Sequence, residues 1–253
     1  MVAIVGLASS SLSAPARAQT TTFATFNQVN TSARPFTYTN KGSVGELAAF
    51  HSAVKVNFSF TSAASSLGLT NSALAGQTFT ASLVELAAAD TQSKATTAAG
   101  LIFQPFVHSP SSLPLIRIVA DYTANNVALG IAGKILLQLK FTGLLTGPAG
   151  GNFAQLAGST AGGYTVNYSS DVFDFSHSTA NSYGLNFTNL TSPLAIAGDF
   201  LRNFSSTGSG AFGTRFAPVP EPGTLVLFGC GLIGLPVLMR KKLRSAMARR
   251  SIA

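Results

Sequence analysis

The sequence predicts an all-β protein, an antiparallel β-sandwich of jelly-roll type, followed by a single C-terminal transmembrane helix. Apolar and polar residues alternate with a period of two in many short segments, which is the pattern of strands that bury one face. Clusters of Gly, Pro, Asn and Ser separate these segments, and helical periodicity is almost absent. One uncharged apolar run lies near the C-terminus, at residues 223–239.

The N-terminus has the composition of an export signal. Residues 2–8 form a short apolar core, and Ala16 and Ala18 supply the small residues of a small-x-small cleavage site. Cleavage would fall before Gln19, so residues 1–18 are predicted to be a signal peptide. No basic residue precedes the apolar core, which departs from the usual pattern, and a buried N-terminal helix is the alternative.

Residues 19–204 are predicted to form the β-rich exported domain, with about ten strands. The clearest strand lies at residues 54–61, where four apolar residues alternate with Lys, Asn, Ser and Thr. Further strands are expected near residues 36–39, 78–86, 101–106, 116–122, 135–141, 164–168, 173–175, 183–187 and 194–200. One patch, residues 82–99, is helix-like because three consecutive alanines could extend a helical turn.

Residues 205–219 are predicted to be a flexible tether, because their composition turns to Ser and Gly. Residues 208–213, Gly-Ser-Gly-Ala-Phe-Gly, also match a dinucleotide-binding glycine pattern. That pattern needs a strand before it and a helix after it. Here a Phe-rich segment precedes the glycines and a proline motif follows them, so nucleotide binding is not expected.

Residues 223–239 are predicted to cross a membrane. These 17 residues carry no charge, and as a helix they would be about 25 Å long, near the lower limit for a bilayer core. A buried core helix is the alternative, but the flanks favour the membrane. Pro220 and Pro222 prevent a helix on one side. On the other side lie cations typical of the cytoplasmic end, and they are Arg240, Lys241, Lys242, Arg244, Arg249 and Arg250.

The order of these three parts resembles the PEP-CTERM sorting signal, with a motif at Pro220, Glu221 and Pro222, a helix at 223–239 and a basic tail at 240–250. The resemblance implies export in a Gram-negative bacterium that makes extracellular polysaccharide. It also implies transient membrane anchoring and processing by an exosortase, a membrane-embedded cysteine transpeptidase-like enzyme that cleaves near the motif. The implied destination is the cell surface or extracellular matrix, and no activity is implied.

The charge distribution agrees with this topology. The chain has 16 basic and 8 acidic residues, but residues 19–219 hold only 9 basic and 7 acidic ones. The excess of positive charge therefore belongs mainly to the tail, and we expect no nucleic-acid binding. The single cysteine, Cys230, lies in the apolar run, so no disulfide is expected in the exported domain.

No catalytic constellation stands out in the sequence, and we expect no enzymatic activity, no cofactor and no metal. His51, His108 and His177 lie far apart. Asp171 and Asp174 near His177 could hold Ca²⁺, but solvated turn residues are the simpler interpretation. The first hypothesis is therefore a non-enzymatic surface or matrix protein.

The alternative is a carbohydrate-binding module or adhesin, which could also explain an association with extracellular polysaccharide. A polysaccharide-acting hydrolase ranks below it, because the domain has few acidic residues. Stacking on sugar rings would use exposed aromatic side chains, and the candidates are Tyr122, Tyr164, Tyr168 and Tyr183. The alternative, which the alternating pattern favours, is that they are tyrosines buried in strands.

Overall fold

The computed structural model describes residues 20–49, 54–90, 92–107 and 114–216. These residues contain sixteen strands, one short helix, α1 (Ala124–Ala128), and three 3-10 turns (Ser62–Ser66, Ser72–Leu74 and Thr160–Gly162). The strands are β1 (Thr21–Gln28), β2 (Phe36–Asn40), β3 (Gly45–Ala49), β4 (Val54–Phe60), β5 (Thr78–Asp90), β6 (Thr96–Ala98), β7 (Leu101–Phe106), β8 (Leu115–Ala120), β9 (Ile135–Phe141), β10 (Gly143–Pro148), β11 (Ala154–Ser159), β12 (Val166–Ser169), β13 (Ser178–Thr188), β14 (Ile196–Ala197), β15 (Phe200–Leu201) and β16 (Phe204–Phe216).

The strands pair antiparallel throughout the described residues. The prediction of an antiparallel all-β domain is therefore confirmed. Fourteen of the strands described by the structure share one hydrogen-bonded sheet, and β14 and β15 form a separate small ribbon.

The large sheet folds back on itself through its two longest strands, β5 and β16. Nine strands lie side by side in the order β6, β7, β10, β11, β13, β16, β1, β4 and β5, and we call them the first layer. From β5 the pairing continues to β8, β9 and β12 on one edge and to β3 and β2 on the other, and we call these five strands the second layer. Because β2 also pairs with β16, the hydrogen-bonded path closes into a ring.

Aromatic side chains from the two layers meet in the core. The ring centroids of Phe141 in β9 and Tyr183 in β13 are 4.8 Å apart. Tyr168 in β12 lies 5.3 Å from Phe23 in β1 and 6.3 Å from Phe212 in β16. Each such pair contributes about 0.5–1.5 kcal/mol beyond the apolar area that it buries. The core therefore lies between the layers, and the outer face of the first layer carries the alternate residues, many of which are polar.

The strand predicted at residues 54–61 is confirmed as β4. Its apolar residues, Val54, Val56, Phe58 and Phe60, are buried, and the residues between them point away from the core. The same alternation gives β2, β7, β8, β9, β12 and β13 close to their expected positions. Phe173 and Phe175, by contrast, lie in a turn region, where Phe173 makes only an isolated bridge with Leu69.

The tether predicted at residues 205–219 is wrong for residues 205–216, which form β16. This strand pairs with β1 and β2 on one edge and with β13 on the other. Its glycines allow neighbouring rings to pack closely, because a Cβ atom on Gly208 would lie 2.6 Å from Phe36 Cε2. A Cβ atom on Gly210 would likewise lie 2.4 Å from Phe26 Cε1. The Gly and Ser content therefore reflects tight packing, and the β-rich domain extends to Phe216.

The helix-like patch at residues 82–99 contains no helix among its described residues, which lie largely in β5 and β6. Residues up to Asp90 belong to β5, where Ala87, Ala88 and Ala89 pair with β3. Pairing of all three alanines with β3, and of Ala87 also with β8, overrides their helical preference. In the part of the chain that the structure describes, no helix is long and apolar enough to span a bilayer. The transmembrane helix predicted at residues 223–239 lies outside that part.

Candidate functional site

The residues predicted to direct sorting lie outside the described residues. They are Ala16, Ala18, Pro220, Glu221, Pro222, Arg240, Lys241, Lys242 and Arg244. His51 and His108 also lie outside.

The four candidate tyrosines occupy different environments, and one of them, Tyr164, is half-buried beside Gly162. Tyr183 is buried, and its hydroxyl donates to the carbonyl oxygen of Thr142 at 3.0 Å. The hydroxyl of the partly buried Tyr168 donates to the carbonyl oxygen of Ser182. Burial raises the pKa of both hydroxyls well above the usual value. These two tyrosines are therefore core residues and offer no free ring face to a ligand.

Tyr122 is the exposed tyrosine of the set, with 83% of its surface accessible. It follows β8, and its ring lies against the backbone of Gly133. A Cβ atom on Gly133 would lie 2.4 Å from the Tyr122 hydroxyl oxygen and 2.9 Å from Cζ. Gly133 has a φ of +74°, so its backbone conformation also favours glycine. The glycine supports one side of the ring while most of the ring remains open to solvent.

A cleft of about 480 Å³ lies beside Tyr122 and includes Lys55, Ser82 and Asp121. The Lys55 Nζ atom is 2.8 Å from Asp121 Oδ2 and donates to Ser82 Oγ at 2.9 Å. The Ser82 hydroxyl donates to Asp121 Oδ1 at 2.6 Å. Sequence reasoning did not single out Lys55 or Ser82, because each reads as an ordinary polar residue of an alternating strand.

A serine beside a lysine amine can act as a nucleophile when the amine accepts its proton. In this cleft the amine donates to Ser82, and the Ser82 proton points to Asp121. The positive charge of Lys55 is balanced by the Asp121 carboxylate. The charges and hydrogen-bonding groups of Lys55, Ser82 and Asp121 are thus paired with one another, and the three side chains form a structural network.

The carboxylates of the exported domain each have a local partner. Four of them form ion pairs, namely Lys41–Glu46, Lys55–Asp121, Lys94–Asp199 and Arg117–Glu85. The Asp90 carboxylate is fully buried and accepts backbone N–H groups from Gln92, Ser93 and Val107. It therefore fixes the turn after β5 to the end of β7.

Asp171, Asp174 and His177 lie in the exposed turn region between β12 and β13. Asp171 Oδ2 accepts the N–H of Ile135 at 2.7 Å, and Asp174 Oδ1 accepts the N–H of Ser176 at 2.8 Å. The hydrogen bond from Ser176 lowers the pKa of Asp174. Within the described residues, no group of three or more His, Cys, Asp or Glu side chains is placed to hold a metal ion.

The structure thus defines the class of the exported part, an antiparallel β domain with a tyrosine-lined cleft. The chain's own signature is at its C-terminus, where residues 218–242 match the PEP-CTERM protein-sorting motif. The resemblance drawn from Pro220, Glu221 and Pro222 is confirmed, and the motif implies export, membrane association and processing by an exosortase. No curated protein and no solved structure matches the chain.

Proposed function

We propose that this protein is a non-enzymatic component of the cell surface or extracellular matrix of a Gram-negative bacterium, associated with exopolysaccharide or biofilm. The observation that carries the proposal is the sorting motif at residues 218–242. The signal peptide at residues 1–18 would start export, and the helix at 223–239 would hold the chain in the membrane until processing. The cations at 240–250 would keep the tail on the cytoplasmic side.

The exported domain supports a role without catalysis. Acid–base chemistry needs carboxylates or amines that are free to exchange protons with a substrate. Here four carboxylates are engaged in ion pairs and Asp90 holds backbone groups. The Ser82 hydroxyl donates to Asp121 rather than to an amine. These contacts favour a domain that presents a surface and does not catalyse a reaction.

The sorting part of the proposal is tested by the mass and location of the mature protein. In a strain with a working exosortase, we expect an intact mass that lacks the basic tail. A Pro220→Ala, Glu221→Gln, Pro222→Ala variant should retain the tail and remain in the membrane fraction. The exposed Asp199→Asn variant is the control and should be processed normally. A wild-type mass that still includes the tail would contradict the proposal.

Carbohydrate binding is the second candidate function, and Tyr122 favours it. An exposed tyrosine ring supported by Gly133, beside hydroxyl, amine and carboxylate groups, offers the stacking and hydrogen bonds that sugars need. A glycan array with and without Ca²⁺ tests this function. Tyr122→Ala should weaken binding, whereas Tyr122→Phe keeps the ring and should retain it. If Tyr122→Ala binds as strongly as Tyr122→Phe and wild type, Tyr122 is not part of the binding site.

A further inference from the structure

A continuous row of side chains crosses the outer face of the first layer. The strand register places one residue of each of the nine strands directly beside the next. At about 4.8 Å per strand, the row is about 38 Å long. We call it the amide row, and it runs Thr96, Phe103, Thr146, Gln155, Asn186, Ser209, Asn27, Asn57 and Thr80.

The amide row is held in place by the core beneath it. Phe26, Phe58 and Phe187 each precede or follow a row residue in the chain, and all three are buried. The carboxamides of the row are exposed. Among the described residues, none of these carboxamides has a hydrogen-bonding partner for its side chain. The row therefore presents free donors and acceptors at fixed positions on a rigid sheet.

A second row of smaller side chains runs parallel to the amide row. It contains Pro105, Leu144, Ala157, Gly184, Ala211, Thr25, Ser59 and Thr78. Its centre is a shallow trough, because Ala157, Gly184 and Ala211 have short side chains or none. The Gln155 carboxamide leans over this trough, since its Nε2 atom is 3.5 Å from the position of a Cβ on Gly184. No residue in either row is ionisable.

We propose that the amide row and its trough bind an extended, neutral polysaccharide. A carboxamide both donates and accepts hydrogen bonds, so a line of them complements the hydroxyl groups along a sugar polymer. The trough and Phe103 offer apolar contact for the C–H faces of the sugars. The absence of charge gives no attraction for an anionic polymer. This inference rests on the carbohydrate-binding role proposed above but assigns it to residues outside the Tyr122 cleft.

A second copy of the chain fits this face less well. Two such faces in contact would have to desolvate every exposed carboxamide and give each a new partner, and unpaired buried amides are unfavourable. A hydroxyl-rich polymer supplies partners along its whole length.

The Tyr122 cleft also opens beside the end of the amide row, because Lys55 and Ser82 lie two residues from Asn57 and Thr80 in their strands.

Affinity gel electrophoresis of the full chain in mild detergent tests the inference. The gels contain dextran, galactomannan or a linear β-glucan as neutral polysaccharides, and alginate as the anionic one. The row variant is Asn27→Ala, Asn57→Ala, Asn186→Ala. The control variant removes three carboxamides elsewhere, Asn125→Ala, Gln138→Ala, Asn167→Ala. Wild type and control should be retarded by at least one neutral polysaccharide, and the row variant should bind it at least tenfold more weakly.

Two further properties of the binding are expected. Retardation should be unchanged between low and high NaCl concentrations, because no charge pairing is involved. Ala211→Lys places a long cation in the trough and should weaken binding as the row variant does. It also provides an independent measurement if the triple substitution impairs folding, which circular dichroism would reveal.

Several results would overturn the inference. These are no retardation by any neutral polysaccharide, retardation by alginate alone, or full binding by both the row variant and Ala211→Lys. Loss of binding in Tyr122→Ala with full binding in the row variant would leave the carbohydrate-binding role intact and refute the amide row. Oligomers that form in wild type but not in the row variant, without polysaccharide binding, would identify a second copy as the occupant.

Discussion

β4 and β16 flank β1 in the first layer, and they contribute to the core in opposite ways. β4 inserts large side chains, and the rings of Phe58 and Phe60 lie 5.1 Å apart. β16 instead leaves space, because Gly208 and Gly210 lie where the rings of Phe36 and Phe26 approach the backbone. A well-packed core therefore needs both strands that provide volume and strands that accommodate it.

The largest effect is expected in β4. Phe58→Ala should lower the free energy of unfolding by about 3–5 kcal/mol, because the ring is fully buried and its loss leaves a cavity. Urea denaturation of the full chain in mild detergent measures the change. Asn57→Ala, on the outer face of the same strand, should change stability by less than about 0.5 kcal/mol. Equal effects of the two substitutions would contradict the burial pattern of β4.

In β16 the addition of one methyl group should be harmful. Gly210→Ala should destabilise the domain by about 1–3 kcal/mol, because the new Cβ would meet Phe26 Cε1 at 2.4 Å and Leu185 Cδ2 at 2.8 Å. Gly184→Ala in β13 is the matched control. Its Cβ would meet only Gln155 Nε2 at 3.5 Å, so no loss of stability is expected. A flexible tether at 205–216 would tolerate both substitutions equally.

The buried tyrosines packed near β16 should make the domain sensitive to alkali. Burial raises the pKa of Tyr168 and Tyr183, so each remains neutral in the folded state when the unfolded chain ionises. Their contribution is complete below the ordinary tyrosine pKa of about 10 and is lost as pH rises above it, by up to about 1.4 kcal/mol per pH unit for each tyrosine.

Stability measured from pH 9 to pH 12 tests this expectation. Tyr183→Phe should flatten the decline, although the loss of its hydrogen bond to Thr142 lowers stability at neutral pH. Tyr122→Phe, whose ring is exposed, is the control and should follow wild type. Identical slopes for wild type and Tyr183→Phe would show that Tyr183 ionisation does not drive the alkaline loss.

The outer faces of β4 and β16 should give the smallest effects. Lys55→Ala removes the ion pair with Asp121, but the lysine side chain is 59% exposed, so solvent screens the interaction. We expect a loss of less than about 1 kcal/mol that decreases at high salt. Ser209→Ala in β16 removes no charge and should have no salt-dependent effect. A large, salt-independent loss in Lys55→Ala would mean that the network has a greater packing role.

The predictable part of the fold is the part in which side-chain alternation is strong. β4, β8 and β9 follow from alternating apolar residues. β1, β3, β10 and β11 were not predicted, because their inward positions include Ala, Gly and single large residues that give a weak period. β16 was not predicted because its glycines make room for the rings of neighbouring strands and so give no alternation of large apolar side chains. Whether such weakly alternating segments form strands depends on packing between distant parts of the chain, which the local sequence does not show.

The candidate sites also differ in how far the sequence alone reveals them. The sorting signal is contiguous, so Pro220, Glu221 and Pro222 identify it without any three-dimensional information, and the match at 218–242 confirms it. The Tyr122 cleft joins Lys55, Ser82 and Asp121 from three separate segments. The amide row takes one residue from each of nine strands. Sites of this kind follow from strand register, which single-sequence periodicity does not provide.

The central position of β16 has a consequence for the timing of secretion. A chain exported from its N-terminus delivers β1, β2 and β13 before the strand that all three require. Gly208 in β16 donates to Gln28 of β1, 180 positions earlier. Contacts so far apart in sequence form late and slowly. The edges of these strands that pair with β16 therefore stay unpaired until β16 has been exported, and unpaired strand edges promote aggregation while the chain folds.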